Sequence, residues 1–434
     1  MKKSVITVLV FVMFSMTVFA GGGGQQSQST IPTDPNVPIT LTVWCWDPNF
    51  NIFAMNEAAK IYNRDKPNVK INIVETPWAD VQQKLITALG ANETSSLPDI
   101  LLMQDNTIQK NLITYPNAFL PVSDKIDINQ FAKFKTGYGN MNGKYYGVPF
   151  DNGAAATFLR RDIVEQAGLK VEDFNNITWE RFIELGKIVK QRTGVTMISF
   201  HANGREFINI TLQSAGTWFF DTQGKPFINS NQVLKQAIEL YIEMVNSGVV
   251  LPTTTRDDLN AAFNTGKVAS VIEGCWTIAS ITAETSQKGK WAAVNVPRFG
   301  TIGSATNYSS NGGSGWMVLS NSKNPDVAID FLAKTFAGSK ELYDIILPSS
   351  GAITTWLPAA DSAVYSQSSE YFGGQKIYTD LVSFAGKVPQ VKYGVFNDEA
   401  RAEVVKALAA IMQGAPIQKA LDEAQRNVEF IINQ

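Results

Sequence analysis

One histidine and two cysteines are all that 434 residues offer to a transition metal or to histidine-based catalysis. Zinc sites usually gather three or four such ligands, so Cys45, Cys275 and His201 do not make one. Neither sign of charge is in excess. The 37 basic and 39 acidic residues leave a formal net charge of -2, and no basic stripe marks a nucleic-acid surface. Phosphate-cradling glycine loops are missing as well: Gly21 to Gly24 lie near the amino end, and Gly312-Gly313-Ser314-Gly315 has neither the lysine nor the spacing. A serine triad would have to use His201, and no GxSxG elbow accompanies it. No metal and no cofactor is expected. Cys45 and Cys275 could pair in an oxidising compartment. Each sits in a run that reads as a different buried strand, so two separate core residues are expected.

Long apolar runs are equally scarce, with one exception. Lys2 and Lys3 precede a run from Val5 to Phe19, broken only by Thr7, Ser15 and Thr17, and Val18-Phe19-Ala20 supplies a cleavage site. At about 15 residues the run falls short of the ~20 that span a bilayer. Residues 1–20 therefore read as an export signal that is removed. No cysteine near Ala20 could take a lipid, so a freely soluble product is expected, retained in a periplasm. Removing 20 residues from 434 leaves 414, enough for two to three domains.

Hydrophobic residues are 44% and charged residues 18% of the chain, an ordinary globular balance. Residues 21–38 are Gly, Gln, Ser and Pro in place of apolar periodicity, a flexible leader. Ile39 to Trp46 then alternates as a strand does. Asp47-Pro48 predicts a helix cap with proline at the first helical position, and Ile52, Met55, Ala59 and Tyr62 mark the helix face. Val69 to Ile73 predicts a second strand, Val81, Leu85, Ala88 and Leu89 a second helix, and Pro98 to Met103 a third strand. This βαβαβ order predicts a mostly parallel sheet covered on both faces, with ligands beyond the carboxyl ends of its strands. Those ends present Trp46 and Asp47, then Trp78, then Asp105 and Asn106. Asn142-Gly143 predicts a hairpin. Thr178 and Ser230 are expected to open helices, the first stapled by Ile177 and Phe182. Ala269 to Ile272 and Trp316 to Leu319 read as strands, Pro325 to Phe336 as a helix, and Asp398–Gln413 and Pro416–Asn433 as two closing helices.

Aromatics are 11% of the chain and include nine tryptophans, several beside an acid at a strand end. A neutral sugar has apolar faces and a hydroxyl rim, and its site needs flat rings plus Asp, Glu and Asn at the edge. One wall of such rings is too little for micromolar affinity, which takes about 8 kcal/mol; two walls closing on the ligand suffice. Two rival readings remain open at this point: a glycoside hydrolase with paired carboxylates flanking the bond, and a binder of a charged solute, whose cleft would carry one sign of charge. Trp44, Trp179 and Trp291 read as packing, His201 as a satisfied polar residue, and Asp99 as serving a turn.

The stretches VWCWDPNFN, LPDILLMQDN, YYGVPFDNG, ITWERF, AFNTGKVASVIEGCW, GGSGWMVLSNSKNPDVAIDFL and SGAITTWLP occur in one order along essentially the whole mature chain. That ordered series resembles the extracellular solute-binding proteins that carry sugars to ABC transporters, and LPDI and QSAGTWFFD look closest to the lactose type. The resemblance implies a non-enzymatic, monomeric receptor with a two-lobe periplasmic-binding fold, each lobe α/β, a carbohydrate in the cleft and permease subunits as partners. It implies lobes of 39–150 plus 300–347 and of 151–299 plus 348–434, with crossings near Pro149 to Asn152, Val296 to Phe299 and Leu347 to Gly351. Asp105 and Asp151 match family acids that bond hydroxyls, and Trp276 and Trp316 match stacking rings. Trp46, Asp47 and Asn51 occupy a loop that often adds a polar contact; Trp218, Glu273, Gly313 and Trp356 qualify by location. The chain departs from the family in having Phe158-Leu159-Arg160 where two tyrosines and an asparagine are frequent.

Overall fold

The computed structural model of the chain describes residues 37–433. The export signal of residues 1–20 and all but the end of the leader lie outside the described residues. Among the described residues no helix is long and apolar enough to cross a membrane.

The opening alternation forms β1 (Ile39–Cys45), whose Ile39, Leu41, Val43 and Cys45 are buried. β2 (Val69–Glu75) and β3 (Ile100–Gln104) flank it in parallel. Helices α1 (Asn51–Tyr62) and α2 (Trp78–Gly90) make the connections, and α3 (Asp105–Thr114) follows β3 directly. In α2 the inward residues are Val81, Leu85 and Ala88, as the period predicts. α1 departs from expectation. Asp47 does not cap it, because its Oδ1 accepts the N–H groups of Asn49 and Phe50 in a turn of its own. The helix starts later, and its inward face runs through Ala54, Met55, Ala58 and Tyr62.

Asn142 and Gly143, with φ of 54° and 80°, turn β4 (Asn140–Met141) into β5 (Lys144–Tyr145). The remaining strands are β6 (Val148–Asp151), β7 (Ala154–Arg160), β8 (Thr196–His201), β9 (Val250–Thr253), β10 (Val268–Gly274), β11 (Trp291–Val294), β12 (Ser309–Ser310) and β13 (Ser314–Val318). Two larger sheets result, one ordered β2-β1-β3-β13-β6 and one ordered β11-β7-β10-β8-β9 with β12 on β7. In the first only β13 runs against its neighbours, and in the second only β7 does. Mostly parallel sheets with a helix-covered core each are the observed class.

The chain leaves the first sheet at Asn152-Gly153, between β6 and β7, and returns at Asn311–Gly313, between β12 and β13. That return is later than the Val296 to Phe299 expected. Residues up to Ser310 stay with the second sheet, since β12 pairs with β7 and Asn307 Nδ2 donates to the carbonyls of Ile177 and Val296 at 2.8 Å. A third passage follows the helix Lys340–Ser350, where Thr354 bridges Asp151. The passages touch: a Cβ on Gly153 (φ +60°) would come within 2.7 Å of the Gly312 carbonyl carbon.

In the second body Thr178 Oγ accepts the Arg181 N–H and caps the helix Trp179–Thr193, which buries Trp179 and Phe182. Ser230 is not a cap. Asn231, one residue on, accepts the N–H groups of Val233 and Leu234 with one oxygen and opens Gln232–Asn246. The closing helices Asn397–Met412 and Ile417–Ile432 complete this core through Val404, Leu408, Leu421 and Val428. Cys45 and Cys275 are both free and buried, and burial pushes each thiol up to about 12.

Candidate functional site

Between the carboxyl ends of the first sheet's parallel strands and loops of the second sheet lies a cavity of about 480 Å³, a size usual for a small-molecule site. Its first wall begins where β1 ends. Asn51 is buried beneath the loop, and its Oδ1 accepts the N–H groups of both Trp46 and Asp47 at 3.0 Å. This fixes the loop so that Trp46 meets Trp78, the first residue of α2, with ring centroids 5.2 Å apart and planes tilted by 52°. Phe50, Gln82, Gln104 and Asn106 continue that wall.

The second wall is built on short turns. Arg205, Glu206 and Asn209 come from the start of the helix Arg205–Ser214, and Arg256 and Asn260 from one face of Arg256–Asn264. Trp276 follows β10 and donates its Nε1 hydrogen to the Asn311 carbonyl at 2.9 Å. The Arg256 guanidinium lies 4.8 Å from that ring's centroid. Trp218, Tyr393 and Arg401 complete the wall, with Gly312, Gly313, Ser314 and Asp151 between the two bodies.

Three lining arginines, 205, 256 and 401, stand against three lining acids, Asp47, Asp151 and Glu206. Every arginine also has a carboxylate partner: Glu206 at 2.7 Å, Glu273 at 3.1 Å and Asp398 at 2.6 Å respectively. Burial pushes the Glu206 carboxyl up, but Arg205 and His201 outweigh it and hold the group below its ordinary range. Burial raises Asp47 and Asp151. The Asp151 carboxylate accepts the Ser314 hydroxyl at 2.5 Å. Four side-chain oxygens of lining residues, in Asn106, Glu206, Asn209 and Asn260, are shielded and have no hydrogen-bond partner.

Of the residues singled out from sequence, Trp46, Asp47, Asn51, Asp151, Trp218, Trp276 and Gly313 line this cavity. Asp105, Glu273, Trp316 and Trp356 do not. Asp105 opens α3 with its carboxylate paired to buried Lys135, behind the wall. Lys135 pulls its pKa down, yet burial is the larger influence and sets it at about 7. Trp316 is fully buried between Phe150 and Phe336, at centroid distances of 5.5 and 5.2 Å. It stands opposite Leu102 on β3, whereas the cleft end of β13 is Ser314, opposite Gln104. Two residues of strand, roughly 7 Å, separate them. Glu273 lies behind the second wall, accepting from Arg256 and from Asn311 Nδ2 at 2.6 Å, so it orients both. Trp356 donates to Gln130 at 3.1 Å and stacks on Tyr343, away from the cavity. Arg205, Glu206 and Asn209 were not singled out, although they follow the end of β8 as Trp46 follows β1; the short turn Ala202–Gly204 was the available signal. Nothing in the sequence pointed to Tyr393 or Arg401, which arrive from the last quarter of the chain.

Residues 57–373 match the family described as bacterial extracellular solute-binding protein. A lactose-binding protein of Rhizobium radiobacter is 41% identical over 381 residues, covering 88% of this chain and 90% of that one. An arabinooligosaccharide-binding protein of Bacillus subtilis is 24% identical over 80% of each chain. In structure, the GacH receptor of Streptomyces glaucescens superposes with a TM-score of 0.75 at 17% identity, covering 90% of this chain and 97% of the receptor.

Proposed function

The chain belongs to the bacterial extracellular solute-binding proteins, and from that premise we propose that it captures an uncharged sugar, with a lactose-like disaccharide favoured, for an ABC importer. The observation that carries the reading is the cavity itself: indoles of Trp46 and Trp78 on one wall, Trp276 on the other, and lining charges that cancel. A binder of anions or polyamines needs one sign to prevail, and here neither does. A ring face hiding about 100 Å² at ~25 cal/mol/Å² contributes ~2.5 kcal/mol before costs. Rings from both walls, with amide and carboxylate oxygens seeking donors, reach the ~8 kcal/mol of micromolar binding only when the walls approach. Ligand must therefore favour the closed form, and hinge closure is what the permease would read.

We take the lobes as 39–151 with 314–350 and 154–310 with 357–433, moving about the three passages. Export by the signal of residues 1–20, release near Ala20 into the periplasm, a monomeric state and the lack of turnover belong to the same proposal. Isothermal calorimetry against a panel of mono- and disaccharides, with a polyamine and a sugar phosphate as charged controls, tests it. Heat with lactose-type disaccharides and none with the controls is expected. Silence across the sugars together with hydrolysis of any glycoside would overturn it in favour of the hydrolase.

A further inference from the structure

Helix Asn397–Met412 is anchored in the second core, but its first turn meets α2 and α3, the helices beside the first sheet. Lys110 of α3 is ion-paired with Glu399, each side chain 27% exposed. Gln82 Nε2 of α2 donates to Asp398 Oδ2 at 3.2 Å. Just ahead of the helix, Tyr393 stacks on Tyr138 with centroids 5.2 Å apart and planes 29° from parallel. Tyr138 packs against the first core and Tyr393 against the second.

That turn also reaches the cavity. Asp398 Oδ1 accepts from Arg401 at 2.6 Å, and Asn397 Oδ1 accepts the Trp218 indole N–H at 2.7 Å. Arg401, Trp218 and Gln82 all line the cavity, whereas Lys110 and Glu399 do not. Asp398 thus joins a lining group of the second wall, Arg401, to one of the first, Gln82. The second oxygen of Glu399 is shielded and unpartnered, so its charge depends on Lys110.

We propose that Tyr393–Arg401 is a clasp across the cleft: a ligand that orders Arg401, Trp218 and Gln82 also tightens the bridges to Lys110 and Tyr138, and the bridges in turn hold the ligand-competent arrangement. The clasp rests on the sugar-capture reading, and its residues Lys110 and Glu399 are positioning residues that need touch no ligand. Affinity then contains the closing equilibrium, and weakening the bridges lowers it without altering the binding surface.

The test measures lactose binding by calorimetry, and unliganded and liganded dimensions by X-ray scattering, for the wild type, Glu399→Gln, Lys110→Met and the exchange of Lys110→Glu with Glu399→Lys. For a half-buried pair each single change is expected to weaken lactose by about 3- to 10-fold, with Lys110→Met the stronger because the carboxylate it leaves unpaired already has one shielded, unpartnered oxygen. The exchange should recover most of the loss. A neutral ligand should also bind the wild type less well between ~0.01 and ~1 M salt, as the screening length falls from about 30 to about 3 Å. That slope should flatten in Glu399→Gln; a slope that persists there would come from the other ion pairs at the cavity and would count against the clasp. Single variants that bind lactose like the wild type would overturn the clasp. If the wild type itself ignores lactose, the lactose preference fails, and scattering alone decides: expansion in the single variants upholds the clasp, unchanged dimensions reject it.

Discussion

The two tryptophans singled out as stacking rings separate cleanly in their surroundings. Trp276 keeps part of its surface in the cavity, while Trp316 is sealed between Phe150 and Phe336. Trp276→Ala should therefore weaken sugar binding by about tenfold or more, the worth of one ring face, and leave the unliganded urea midpoint nearly unchanged. Trp316→Ala should cost about 3–5 kcal/mol of stability, read as a fall in that midpoint. Asp105 makes a second residue-level case. Its folded pKa of about 7 lies above the unfolded value, so the group's contribution to stability is fully present below about pH 4 and is lost as pH rises through about 7. Unfolding titrations from pH 4 to 8 should show that decline in the wild type and lack its Asp105 component in Asp105→Asn. Above about pH 7, where the wild-type group is a carboxylate, Asp105→Asn also leaves Lys135 buried without its counter-charge, at a cost of about 3–5 kcal/mol. Composition separated packing from lining only partly: Trp44, Trp179 and Trp291 are buried as read, but residue type cannot say how far a side chain stands from the end of its strand, and that distance decided Trp316.

Elements were legible wherever one period ruled a whole segment. β1, α2 and β10 stand where alternation, helical spacing and an apolar run placed them. Starts were less legible, because neighbouring Ser, Asn and Asp compete for the same backbone donors: Asn231 took the cap expected of Ser230, and Asp47 spent its oxygen on a turn. The loop entering β13 is tightly constrained beside the cavity. Gly313 has φ +94°, and a Cβ there would meet Asp105 Oδ2 at 2.3 Å and Lys135 Nζ at 2.9 Å. Gly313→Ala should cost about 1–3 kcal/mol from backbone strain alone, more once the ion pair is displaced, and sugar affinity should fall with it. Urea unfolding followed by calorimetry on the same sample measures both.

At the scale of the molecule, the order of strands was legible for 39–104 and obscure afterwards. Nothing in a local pattern reveals that Ser314–Val318 inserts between β3 and β6, since pairing over 160 residues is decided by the assembled cores and not by neighbours in sequence. The same insertion sets a schedule for assembly. The strand that joins β3 to β6 in the first sheet is the last of the described strands to be synthesised, with the whole of the second sheet made before it. A growing chain therefore holds β3 and β6 with an open seam between them until about three-quarters of its length exists, and neither half of the polypeptide, cut at the midpoint, contains a complete sheet of the first kind.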